Sequence, residues 1–171
     1  TKLSGRLTGS INYTYSRSLR TIDGEFEEEK INQGNPYPSN FDQPHIVNIN
    51  WKYNISRRYF FAGSWTYHTG RPITAPLSGY VIDKIIVANF SERNQYRIAD
   101  YHRLDIALIL EGSNKRKKFW DGTWVFSLYN VYARRNPFTV FFEDNGKGYL
   151  KPYQLSIIGT VVPSISYSFK L

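Results

Sequence analysis

Odd and even positions separate by polarity along most of this chain. From Leu3 to Tyr15 the odd positions read Leu, Gly, Leu, Gly, Ile, Tyr, Tyr, and the even ones Ser, Arg, Thr, Ser, Asn, Thr. Successive side chains alternate faces along a strand, so this period predicts one apolar wall and one wet wall. The pattern recurs from Ile46 to Ile55, with Val47, Ile49, Trp51 and Tyr53 opposing Asn48, Asn50, Lys52 and Asn54. Tyr59 to Thr69 sets Tyr59, Phe61, Gly63, Trp65 and Tyr67 against Ser64, Thr66 and His68. Arg103 to Leu110 sets Leu104, Ile106, Leu108 and Leu110 against Arg103, Asp105 and Ala107. Thr123 to Tyr132 is weaker, because Val125 opposes Trp124, Phe126 and Leu128. Gly159 to Leu171 closes the chain, with Pro163, Ile165, Tyr167, Phe169 and Leu171 on one side and Ser164, Ser166, Ser168 and Lys170 on the other.

These segments predict six strands and no helix. The first exceeds the ~5–6 residues of an ordinary strand and reaches the ~9–11 that a tilted membrane strand needs. The connectors alternate in length. Long ones, about 20–42, 70–100 and 133–158, follow strands one, three and five; short ones, Ser56-Arg57-Arg58 and about Glu111 to Asp121, follow two and four. Membrane barrels have short periplasmic turns and long extracellular loops, so the expected carboxyl terminus is periplasmic. Within the third long connector, Val140 to Phe142 and Tyr153 to Ile158 predict a hairpin turning at Asn145-Gly146. The apolar stretch Ile82 to Phe90 is expected to be a loop packed away from water.

Composition narrows the class. No apolar run approaches the ~20 residues of a membrane helix, which leaves a barrel open, since alternating strands average to a hydrophilic score. There are 14 Tyr, 11 Phe and 4 Trp, and no Cys, so neither a disulfide framework nor a thiolate metal site is expected. Met is absent, position 1 included, and no signal peptide is visible, which suggests an excised segment. The net charge of +8 invites a nucleic-acid reading, but much of the basic charge sits in short connectors, at Arg57-Arg58 and Lys115 to Lys118. No basic residue interleaves the aromatic faces as a phosphate reader, and no nucleic-acid partner is expected. Six strands would leave two open edges in hydrocarbon, at several kcal/mol per unsatisfied group. The expectation is the carboxyl-terminal part of a larger barrel, with other strands before Thr1 or on another chain.

Several motifs then match one family in order. They are Asp42-Gln-Pro-His45, Tyr67-His-Thr-Gly-Arg-Pro72, Tyr96-Arg97, Tyr101-His-Arg-Leu-Asp105, Leu128-Tyr-Asn-Val-Tyr132, Arg135-Asn-Pro137 and Pro163 to Leu171. Over essentially its whole length the chain resembles the end of TonB-dependent outer-membrane receptors, of the Bacteroidetes type with a carboxypeptidase-regulatory-like domain. The resemblance implies a transmembrane antiparallel β-barrel of about 22 strands with a plugged lumen, residues 1–171 being its last six strands. It also implies import of a bulky nutrient (a glycan, metal chelate, cobalamin or peptide). Implied partners are outer-membrane lipid, the rest of the barrel and plug, TonB through a region outside this chain, the barrel-assembly machinery and a surface lipoprotein lid. Tyr167, Phe169 and Leu171 would form the terminal assembly signal, with Leu171 where the family usually ends on an aromatic.

Site expectations follow from parity. Trp51, Tyr53, Trp65 and Tyr67 are expected to face lipid as girdle aromatics, and Arg6, Asn48, Asn50, Arg103 and Asp105 to face the lumen. His45, His68 and His102 fall near one rim without ligand spacing, so no metal or cofactor is expected. No nucleophile motif appears and catalysis is not expected. The run Glu25 to Glu29 reads as solvated loop, and the triplets at Asn12, Asn54 and Asn89 as chance. Tyr80, Tyr96, Tyr149 and Tyr153 are unranked candidates for ligand contact. Beside the transporter stand three other readings: an outer-membrane hydrolase, a soluble aromatic-rich β-sandwich binding sugar or nucleic acid, and a barrel fragment held by the assembly machinery.

Overall fold

The computed structural model is all-β and antiparallel, and describes residues 2–83, 85–112, 121–144 and 150–170. In chain order the strands are β1 (Lys2–Ser4), β2 (Leu7–Tyr15), β3 (Leu19–Arg20), β4 (Tyr37–Pro38), β5 (His45–Asn54), β6 (Tyr59–His68), β7 (Pro72–Ile73) and β8 (Pro76–Ile82). They continue with β9 (Ile85–Phe90), β10 (Tyr96–Arg97), β11 (Tyr101–Glu111), β12 (Asp121–Tyr129), β13 (Thr139–Asp144), β14 (Leu150–Leu155) and β15 (Val162–Lys170). One sheet of seven strands runs β1-β2-β5-β6-β11-β12-β15, an up-and-down meander in sequence order. Its six long members have 9, 10, 10, 11, 9 and 9 residues. Among the described residues the sheet has two edges, β1 and β15, and does not close into a barrel.

Register fixes the faces. Ile11 pairs with Ile49, Ile49 with Trp65, and Trp65 with Leu104, so one apolar row crosses four strands. A second row runs Tyr53, Phe61, Leu108, Phe126, Ile165. On the other face Ser10, Asn50, Ser64 and Asp105 align, as do Asn12, Asn48, Thr66 and Arg103. Directly opposed residues share a face, and a one-residue slip would exchange the two walls.

Three boundaries differ from the sequence expectation. The segment Leu3 to Tyr15 is not one strand: Gly5 and Arg6 form a tight turn, and β1 folds back so that Ser4 pairs with Leu7. Arg6 therefore stands in a turn and not in the wall; its carbonyl accepts the Asn54 N–H at 2.7 Å. The strand expected to run to Tyr132 stops at Tyr129, because Asn130 takes a left-handed φ of 56°. The last strand begins at Val162 and not at Gly159. The expected loop Ile82 to Phe90 is instead mostly strand, paired with β8, and Leu77, Tyr80, Ile82 and Phe90 are exposed on that hairpin. The expected hairpin of the third connector is β13 with β14; its Asn145-Gly146 turn lies outside the described residues, as do Lys115 to Lys118, Tyr149 and Leu171.

The sheet is a single layer. Among the described residues those buried are Tyr37, Ser39, Asp42, Gly70, Pro72, Ser91, Asn94, Asn130 and Pro137, all outside the main sheet. Tyr37 is the sole large hydrophobe among them. On the apolar wall Ile11 remains 73% exposed, Ile165 65% and Phe169 64%.

Packing within the wall uses glycine as space. A Cβ on Gly63 would lie 2.1 Å from Cζ2 of Trp51, and one on Gly122 would lie 2.2 Å from the Tyr167 hydroxyl. Each ring thus occupies the place a neighbouring side chain would take. Tyr167 also packs on Trp124, with centroids 4.5 Å apart.

Candidate functional site

All three long connectors leave the sheet at one end, where Tyr15, His68 and Tyr129 terminate their strands. They are locked together there by buried polar groups. The Asp42 carboxylate accepts the Ser18 N–H at 2.7 Å, Arg17 Nε at 3.3 Å and a short ion pair from Arg97. Arg97 also donates to the carbonyls of Asp42 (2.6 Å) and Gly70 (2.9 Å), so one guanidinium ties the first connector to the second. Burial alone would raise the Asp42 pKa. The Ser18 N–H, Arg97 and Arg17 outweigh it and hold the carboxyl below its ordinary value. Asp100 is held below its ordinary value as well, chiefly by the Gly70 N–H and further by Tyr67, which donates its hydroxyl at 2.7 Å.

Asn130 does the same for the third connector. Its amide donates to the carbonyls of Arg134 and Thr160, its oxygen accepts the Arg134 N–H, and its own N–H goes to Asp105. Asn136 brackets His102, taking its N–H and donating to its carbonyl. Asn94 joins the first connector to the second by donating to Pro38 and Asn40.

Beneath these loops, on the polar face, lies a cavity of about 480 Å3. Its floor is His68, Tyr101, Arg103 and Tyr129; its apolar roof includes Phe138 and Ile157. The His68 and Tyr101 rings stack at 4.4 Å, and Arg103 lies over the Tyr129 ring at 4.1 Å. Arg103 spends its donors on both oxygens of Asp105 and on the Tyr101 and Tyr129 hydroxyls.

The structure therefore brings Arg103 and Asp105 together as an ion pair at 2.9 Å. Asn48 and Asn50 share their face, with Thr66 donating to Asn48 at 3.1 Å. Trp51, Tyr53, Trp65 and Tyr67 share the apolar face with Tyr167 and Phe169. Trp65 and Tyr67 stack at 6.1 Å. The three histidines meet different partners: Tyr13 at His45, Gln43 at His68 and Tyr132 at His102. Among the described residues no group of three His, Cys, Asp or Glu could hold a metal ion. Tyr80, Tyr96 and Tyr153 are exposed on separate loop strands. Sequence reasoning did not single out Asp100, Asn94 or Arg134. The local signal for Asp100 and Asn94 is an Asp or Asn close to a strand start, where side chains that bond nearby backbone are common, and Arg134 has no such signal.

No protein-family model, curated protein or solved structure matches the chain.

Proposed function

We propose that this chain is a section of the wall of an outer-membrane β-barrel, and that the barrel is a TonB-dependent transporter for a bulky nutrient. The single-layer sheet carries the reading. Its apolar face has no covering layer among the described residues, and its opposite face is lined by Asn48, Asn50, Arg103 and Asp105. Hydrocarbon stabilises the first face and a wet lumen the second. Strands of 9–11 residues fit the ~30 Å hydrocarbon thickness at barrel tilt. A soluble sandwich would require a second sheet on the Ile11–Ile49–Trp65 row. The transport half of the proposal rests on the resemblance of the ordered motifs and on the loops gathered over a lumen-side cavity.

The test is topological. A short epitope in the Glu27 loop should be reached by antibody on intact cells, and one at Arg57 only after the outer membrane is opened. Equal reach of both on intact cells, or release of the protein from membranes by alkaline wash, would overturn the reading.

A further inference from the structure

We infer that the cleft between the second long connector and β13 is a binding site for an oxyanion, a carboxylate or phosphate carried on a small ligand with an apolar body. The cleft holds about 460 Å3. Arg71 and Arg93 line it together with Asn40 and Thr74, and no Asp or Glu among the described residues does.

What these groups have left to offer is donors. Arg71 gives one guanidinium nitrogen to the Phe138 carbonyl, and among the described residues its other N–H groups meet no acceptor. The Arg93 backbone is pinned from both sides by Asn32, through an N–H donated at 2.7 Å and a carbonyl accepting at 3.1 Å. Its guanidinium forms no ion pair among the described residues. Asn40 spends its oxygen on Asn94, and among the described residues its amide hydrogens meet no acceptor. Thr74 Oγ1 accepts the Asn94 N–H at 3.0 Å, and among the described residues its hydroxyl proton meets no acceptor.

Nearby arginines differ. Arg17 and Arg97 share the Asp42 carboxylate, and Arg103 pairs with Asp105. Those side chains hold the fold together. Among the described residues Arg71 and Arg93 have no acidic partner, and both line one cleft, where two guanidinium forks favour an oxyanion over any neutral or cationic group. Ile73, Val140 and Phe142 supply the apolar wall for the ligand's body. Arg71 and Ile98 also line the cavity on the polar face, so the cleft adjoins it.

The assignment rests on the cleft and not on the membrane reading, and its test reads binding alone. Full-length protein in detergent would be titrated calorimetrically with inorganic phosphate, citrate and benzoate. Saturable binding is expected for at least one probe, and the one preferred names the oxyanion. Arg71→Gln and Arg93→Gln should each weaken it about tenfold, Arg93→Lys less, and the exposed Arg20→Gln not at all. Raising salt should weaken it further. No saturable binding of any probe, or binding that survives both glutamine variants in protein with unchanged circular dichroism, would overturn the site while leaving the membrane reading intact.

Discussion

The indole of Trp51 sits directly over Gly63, its cross-strand partner, with Cζ2 2.1 Å from where a Cβ would stand. The largest side chain of the wall thus depends on the smallest. Gly63→Val should force the ring from its seat and cost about 1–3 kcal/mol, as overpacking does. The denaturation midpoint in detergent measures this, and indole fluorescence should shift with it. Trp51→Leu in the Gly63→Val background should recover part of the loss, a non-additivity expected only of residues in contact.

Asn130 combines a left-handed backbone with bonds to Arg134 and Thr160. Asn130→Ala should cost about 3 kcal/mol, since it adds backbone strain to buried groups left unpaired. Asn130→Gly should cost about 1 kcal/mol less, because glycine accepts the positive φ without restoring the bonds. Equal losses in the two variants would remove the backbone from the explanation.

The Asp42 clamp predicts an acid limit for the loops. Its carboxyl is held below the ordinary value, so its contribution is complete above the ordinary carboxylate pKa of about 3.9 and fades as pH falls through the lower folded value. Asp100 acts in the same direction. Protection of the connectors from an acid-active protease such as pepsin should therefore hold down to about pH 4 and fall below it. Asp42→Asn should weaken the clamp by about 2 kcal/mol at neutral pH and flatten the acid dependence.

Legibility in the sequence followed alternation. β5, β6 and β11 stand within two residues of expectation at each end, because apolar and polar positions alternate along most of their length, with Ile46, Phe60 and Ile109 breaking the period. The Gly5-Arg6 turn was hidden because parity continues across it, glycine standing at an odd position and arginine at an even one. β8 and β9 were hidden because residues 81, 82 and 85–87 are apolar on both parities, so no period of two marks them. The loop clamp shows another kind of limit. Asp42 and Arg97 each sit in a recognisable motif, but they are 55 positions apart and only the meander brings them together. Spacing reveals partners within a strand or turn, not across connectors.

The two faces of one sheet should meet two different solvents. The chain has no cysteine, so single cysteines can be introduced and spin-labelled in the reconstituted protein without background. Labels at Ile11, Ile49 and Ile165 should relax with lipid-soluble oxygen, and labels at Ser10, Asn50 and Ser164 with a water-soluble nickel chelate. Reversed parity, or equal access of the chelate to both sets, would contradict the account.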